Sequence, residues 1–250
     1  MRASRLPRHR GRLVAAIVIA TALVTGCSSR GAPSPGASTP VTFGSSDGIR
    51  LAGRVFGQGT RGVILAHMRP ADQSSWFAFA GRLARDGYLV LTFDFRGYCP
   101  GGAAGCSRGE RTIAEIWKDV AGAIAYLRGE RRADTVSLVG ASMGGTASLI
   151  AAAQPGADVR AVITLSAPTE IEGLVADADV LTRIDAGKLF IAGVGDAAAA
   201  SSAETLYEQA PPPKRVEIVP ADDHGTDLLA GSQGEVVSRL IETYLETNGS

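Results

Sequence analysis

Three histidines and three cysteines are all that 250 residues supply, and both scarcities narrow the chemistry. His9 precedes an apolar N-terminal run, which leaves His67 and His224 for any site further along. With two separated histidines and no close ligand cluster, no metal is expected, and no motif calls for a cofactor. No run of apolar residues long enough to span a bilayer comfortably stands out. The stretch "LVAAIVIATALVTG" at 13–26 has fourteen residues, where a spanning helix needs about 20. No repeat of 20 to 50 residues recurs, which excludes solenoids and propellers. The formal net charge is zero, but five arginines fall within the first twelve residues. Without residues 1–26 the balance is 20 basic against 25 acidic side chains, formally −5, with no basic run. Such a chain offers phosphate backbones nothing to hold, so nucleic-acid binding is not expected.

What is present begins with a basic segment, an apolar segment and small residues, the pattern of an export signal. Val24, Thr25, Gly26 and Cys27 resemble the lipobox of bacterial lipoproteins. The resemblance implies removal of residues 1–26, lipidation of Cys27 and a location on the extracytoplasmic side of the cell membrane. A plain secretory signal, or an anchor helix with an incidental Cys27, is the alternative. Residues 27–40, rich in Ser, Gly, Ala and Pro, have no apolar face to bury and read as a disordered tether. Cys99 and Cys106 then form an even pair in an oxidising compartment, enclosing six residues. A disulfide is the preferred reading, with two free thiols or a metal site as alternatives.

The remainder, 41–250, is apolar enough to bury one sizeable core. "VTF" at 41–43 and "IRLAGRVF" at 49–56 read as an edge hairpin through Asp47–Gly48. Buried strands follow at 62–67, 88–95, 135–140, 160–166, 188–194 and 215–220, about eight strands in all. Between them Trp76, Phe79, Ala80 and Leu83, then Ile113, Ile116, Trp117, Val120, Ile124 and Leu127, keep helical spacing, as do Val237, Leu240, Ile241 and Tyr244 near the end. Strands alternating with helices predict a mostly parallel sheet covered on both faces. "GQGTRG" at 57–62 fits G-x-G-x-x-G but leads into a strand, so it has no helix N-terminus on which to hold a dinucleotide.

"GASMGG" at 140–145 lies between a strand and a helix. A G-x-S-x-G match arises by chance about 0.3 times in a chain of this composition, so the strand-to-helix context carries the weight. There a sharp turn exposes a serine hydroxyl above the sheet, and Ser142 becomes a candidate nucleophile. Its base is normally an imidazole. His67, in "LAHMRP", and His224, in "PADDHGTDLL", both follow strands and reach the same rim. Asp196, in "IAGVGD", is the preferred orienting acid, with Asp94, Asp222 and Asp223 as alternatives.

Taken together, "LAH", "FDFRGY", "GASMGG", "GD" and "DHG" at the ends of successive strands resemble the α/β-hydrolase superfamily across most of 41–248. The resemblance implies a serine hydrolase of the carboxylesterase type, with thioesterase or peptidase activity as variants, acting on a small-molecule or lipid-like acyl substrate. It implies Ser142 as nucleophile, Asp196 as acid and His224 as base, with the N–H groups of Met68 and Met143 forming the oxyanion hole. His67 then shapes a loop, and Arg96 braces the rim. About twenty residues separate Ser166 from Lys188, too few for a large lid domain. The competing class is a non-catalytic surface lipoprotein that keeps the fold for binding or assembly.

Overall fold

The structure, a computed structural model, describes residues 37–99 and 105–249, with Met1 and Ala3. The rest of the expected signal, Cys27, the tether as far as residue 36, and residues 100–104 of the cysteine loop lie outside the described residues. Contacts divide the chain into Met1–Ala32 and Pro33–Ser250, and every element named here belongs to the second unit.

Ten strands and six helices alternate along the described chain: β1 (Ser38–Gly44), β2 (Arg50–Phe56), β3 (Arg61–Ala66), α1 (Phe77–Arg85), β4 (Leu89–Phe93), α2 (Trp117–Gly129), β5 (Thr135–Ala141), α3 (Met143–Ala152), β6 (Ala161–Leu165), β7 (Glu170–Ile171), β8 (Leu174–Val175), α4 (Ala178–Leu181), β9 (Gly187–Gly193), α5 (Ala197–Gln209), β10 (Lys214–Val219) and α6 (Gly234–Asn248). Eight of the strands form one sheet in the order β1-β2-β4-β3-β5-β6-β9-β10. β1, β2 and β4 pair antiparallel, and every pairing from β4 to β10 is parallel. This is the α/β-hydrolase fold.

Parallel strands buried on both faces need apolar side chains at every position, with alternate residues serving opposite layers. Along β3, Ile64 and Ala66 join the core beneath α2, α3 and α5, whereas Val63 and Leu65 join the core beneath α1 and α6. The apolar stripes of the helices complete each layer: Val120, Ile124 and Leu127 on one face, and Phe79, Leu83, Val237 and Ile241 on the other. Each large side chain buried this way contributes about 1.5–3 kcal/mol. Trp76 and Ile113 stand in short 3-10 turns that precede α1 and α2, so both helices begin slightly later than their apolar spacing suggests.

The chain is paired from Ser38, three residues before the expected start of the domain at residue 41. β1 is an edge strand, where Pro40 can lack a donor without breaking the ladder. Between β6 and β9 there is only the hairpin β7–β8 and the single turn α4, so no large lid domain covers the sheet edge. No helix among the described residues is long and apolar enough to cross a membrane.

Candidate active site

Ser142 stands between β5 and α3 at φ 49° and ψ −122°. A side chain at positive φ costs about 1–3 kcal/mol, so surrounding bonds must hold it. The Ser142 N–H donates to the Leu165 carbonyl at 2.8 Å, and the Ser142 carbonyl accepts from Gly145 at 2.8 Å and Thr146 at 3.2 Å. The flanking glycines are required by space. A Cβ at Gly140 would overlap the Gly144 carbonyl and lie 2.6 Å from Gly145 N, and one at Gly145 would lie 2.7 Å from the Ala167 Cβ. The turn is thus a tight elbow with Ser142 at its apex.

Past β10, His224 meets Asp196, which follows β9. His224 Nδ1 lies 2.5 Å from Asp196 Oδ2. The other oxygen of the same carboxylate, Oδ1, accepts from Ala199 N at 3.4 Å and caps α5. One side chain therefore orients the imidazole and starts a helix, so the acid is held from both sides. The alternative acids are otherwise placed. Asp94 accepts from Gln73 N at 3.0 Å and Gln73 Nε2 at 2.6 Å, and burial raises its pKa to about 6. Asp222 lies against Gly195, and Asp223 against Gly231.

The loop carrying His224 returns to the elbow. A Cβ on Gly225 would overlap Met68 Sδ and lie 3.4 Å from the Cβ of Ala141, the residue before Ser142. Gly225 N–H donates to Ser166 Oγ at 3.1 Å, and Ser166, at the end of β6, is itself buried at φ 54°. Sequence reading passed over Ser166. Its one signal was a small polar residue at the end of an apolar strand. Ser142, His224, Asp196 and Met68 are thus gathered at the C-terminal edge of the parallel strands. The Asp196–His224 contact is formed, whereas the Ser142 hydroxyl donates to no described residue.

His67 has both ring nitrogens occupied. Nδ1 donates to the Met68 carbonyl at 2.8 Å, and Nε2 accepts from Phe95 N at 3.1 Å. Burial lowers its pKa to about 4, keeping the ring neutral in this one tautomer. It pins the loop on which Met68 stands and has no lone pair left to serve as a base. Met143 opens α3, so its N–H has no intrahelical acceptor, and the Met68 N–H donates to no described residue. Arg96 is buried among Asp119 at 2.6 Å, Asp47 at 2.8 Å and Glu115 at 2.9 Å, tying the loop after β4 to α2 and to the β1–β2 turn. A disulfide joins Cys99 to Cys106 with Cα atoms 4.3 Å apart.

No group of three or more His, Cys, Asp or Glu among the described residues is arranged to hold a metal ion. A cavity of about 740 Å³ opens at the other end of the strands, beside Arg160, Arg183 and Asp185, and contains none of the candidate residues.

Residues 58–218 match the family described as serine aminopeptidase, S33. This is well over half of the chain. The protein belongs to the serine aminopeptidase S33 family. The match includes the elbow and Asp196 of this S33 hydrolase and stops short of His224. No curated protein sequence matches it. Among solved structures, the S33 chain is similar to a Pyrococcus furiosus esterase at 16% identity and a TM-score of 0.72, covering 86% of this chain and 94% of that one. It is also similar to a dienelactone hydrolase from Anabaena variabilis at 20% identity and a TM-score of 0.69, covering 85% and 98%. The esterase domain of a Rhodothermus marinus protein aligns at 22% identity and a TM-score of 0.65, covering 86% and 100%.

Proposed function

We propose that this S33 hydrolase is a serine enzyme cleaving a carboxylic ester or related acyl bond through an acyl-enzyme on Ser142. The observation that carries the reading is the Asp196–His224 contact at 2.5 Å, delivered by Gly225 to the flank of the Ser142 elbow. His224 Nε2 takes the Ser142 proton as Oγ attacks the carbonyl carbon, and Asp196 supports the imidazolium that results. The carbonyl oxygen becomes an oxyanion and accepts from the Met68 and Met143 N–H groups. Each such donor is worth about 10²–10³ in rate. Collapse breaks the bond to the alcohol or amine, which leaves with the proton from His224. Water, deprotonated by the same imidazole, then releases the acid and restores Ser142.

An ester is favoured over an amide as substrate because the three solved structures named above are two esterases and a dienelactone hydrolase. The uncovered sheet edge suits bulky or lipid-like acyl groups. In the same proposal residues 1–26 are removed and a lipid on Cys27 holds the domain outside the cytoplasm.

A fluorophosphonate probe tests the chemistry. Labelling of the wild type and none of Ser142→Ala is expected, followed by turnover of p-nitrophenyl esters. A folded sample that neither labels nor turns over esters would favour a binding protein that keeps only the fold. For the anchor, Cys27→Ser should release the protein from membranes, and continued retention would refute lipidation there.

A further inference from the structure

The flank of the candidate site away from His224 holds an arginine, Arg111, that pairs with no acid among the described residues. In the sheet, β3 and β4 lie on one side of β5, whereas β6, β9 and β10, which carry Asp196 and His224, lie on the other. Tyr98, after β4, is buried with its ring edge-on to His67, centroids 4.6 Å apart. Its hydroxyl is 4.0 Å from Met143 Sδ, one residue past Ser142. The Arg111 guanidinium lies over this ring, 3.9 Å from its centroid. A guanidinium held over a ring face keeps N–H groups at its edge available to an acceptor. Among the described residues no carboxylate or other acceptor takes them.

Two more charges stand nearby. Arg69, next to Met68, pairs at 2.6 Å with Glu172 at the tip of the β7–β8 hairpin, and both are about half exposed. Arg111, Arg69 and Glu172 all act electrostatically on Tyr98. The cluster therefore carries one uncompensated positive charge, and its single ion pair is weak because water reaches it.

Direction follows from the mechanism. The leaving group must depart toward His224 to collect its proton, so the acyl group retained on Ser142 extends toward the opposite flank. That flank is the one where the buried Tyr98 carries the exposed Arg111. We propose that the site selects esters whose acyl chain carries a terminal carboxylate, received by Arg111 and assisted by Arg69 when Glu172 yields. This rests on the Ser142–Asp196–His224 reading and adds a substrate class to it. A planar guanidinium matches a carboxylate with two parallel hydrogen bonds, which a lysine cannot copy.

The test compares kcat/KM of the full chain in detergent for 4-nitrophenyl hydrogen adipate and for 4-nitrophenyl heptanoate, a neutral ester of similar length. The wild-type ratio should exceed one and fall as NaCl rises from about 20 to about 500 mM. Arg111→Gln should lower the ratio about fivefold, and Arg111→Lys should lower it less. Glu172→Gln should raise it by freeing Arg69, while Arg239→Gln on α6 should leave it unchanged. A wild-type ratio of one or below, or a ratio indifferent to both Arg111 variants, overturns the inference. If heptanoate is cleaved and Ser142 labels but the anion is not preferred, the inference alone falls. If neither ester is cleaved and nothing labels, the proposed function falls with it.

Discussion

Asp196→Asn separates two duties that one carboxylate performs. Oδ1 caps α5 and Oδ2 holds His224 Nδ1. Asparagine caps a helix about as well as aspartate, so the first duty survives. The second fails, because an amide can present N–H to Nδ1 and thereby turn the imidazole to the tautomer with its proton on Nε2. In the proposed mechanism that proton faces Ser142 and blocks its activation, and the negative charge that supports the imidazolium is lost. A loss in kcat of about 10³–10⁴ is expected, with the melting temperature nearly unchanged. Asp196→Ala should lose as much activity and also about 1 kcal/mol of capping, a fall of about 2–4 °C for a domain of this size. Steady-state hydrolysis of a p-nitrophenyl ester and a calorimetric melt of the three proteins provide the comparison. An Asp196→Asn enzyme retaining more than about a tenth of wild-type kcat would refute the role given to this acid.

Other perturbations read other parts of the structure. His67 is neutral when folded, with its pKa lowered to about 4, so its stabilisation is present above pH ~6.5 and lost as the pH falls toward 4, about 3 kcal/mol in full. Asp94, raised to about 6, takes up its proton first in the folded state and offsets nearly all of that loss over the same window. Urea titrations should therefore show Asp94→Asn losing about 3 kcal/mol more than wild type between pH 6.5 and 4, and a pH-independent difference would exclude the pairing. Arg96→Leu leaves Asp119 buried without its cation and should cost about 3–5 kcal/mol by denaturant titration. Gly140→Ala should abolish fluorophosphonate labelling, since its methyl meets backbone at the elbow that cannot retreat without moving Ser142. Replacing both Cys99 and Cys106 by serine should lower stability by about 2.5 kcal/mol through the entropy of the short loop, and an unchanged denaturation midpoint would contradict this.

The positions of the sheet's strands along the chain and the elbow were legible because they depend on local pattern. Doubly buried strands such as "GVILA" and "LFIAG" need unbroken apolar runs, and an elbow needs glycine where a Cβ would collide. The choice between His67 and His224 was not legible, since both follow strands at the same rim. It turns on contacts across the chain, the Phe95 N–H that occupies His67 Nε2 from 28 residues away and the Asp196 carboxylate that holds His224. The extension of β1 to Ser38 was missed because "STP" has no apolar alternation. Backbone pairing with Val55 and Phe56 supplies what the side chains do not. Tyr98 and Arg111 escaped because no spacing rule links a tyrosine to an arginine across a closed loop.

Two strained serines show how the sheet edge carries the site. Ser142 and Ser166 end neighbouring strands, each at positive φ, and each N–H donates across to the following strand: Ser142 to Leu165, Ser166 to Ile191, both at 2.8 Å. The rungs of the ladder therefore set both residues, and the strain of about 1–3 kcal/mol at each is borne by a core buried on two faces. Ser166 passes the constraint on, since its hydroxyl fixes Gly225 and through it the backbone beside His224. Asp196 fixes the imbedded side of the same histidine while anchored to α5. The proposed nucleophile and base are thus referred to one rigid frame, strands β5, β6 and β9, although their side chains come from segments 82 residues apart. In the proposed mechanism such a frame keeps the His224 imidazole oriented by Asp196 before substrate arrives.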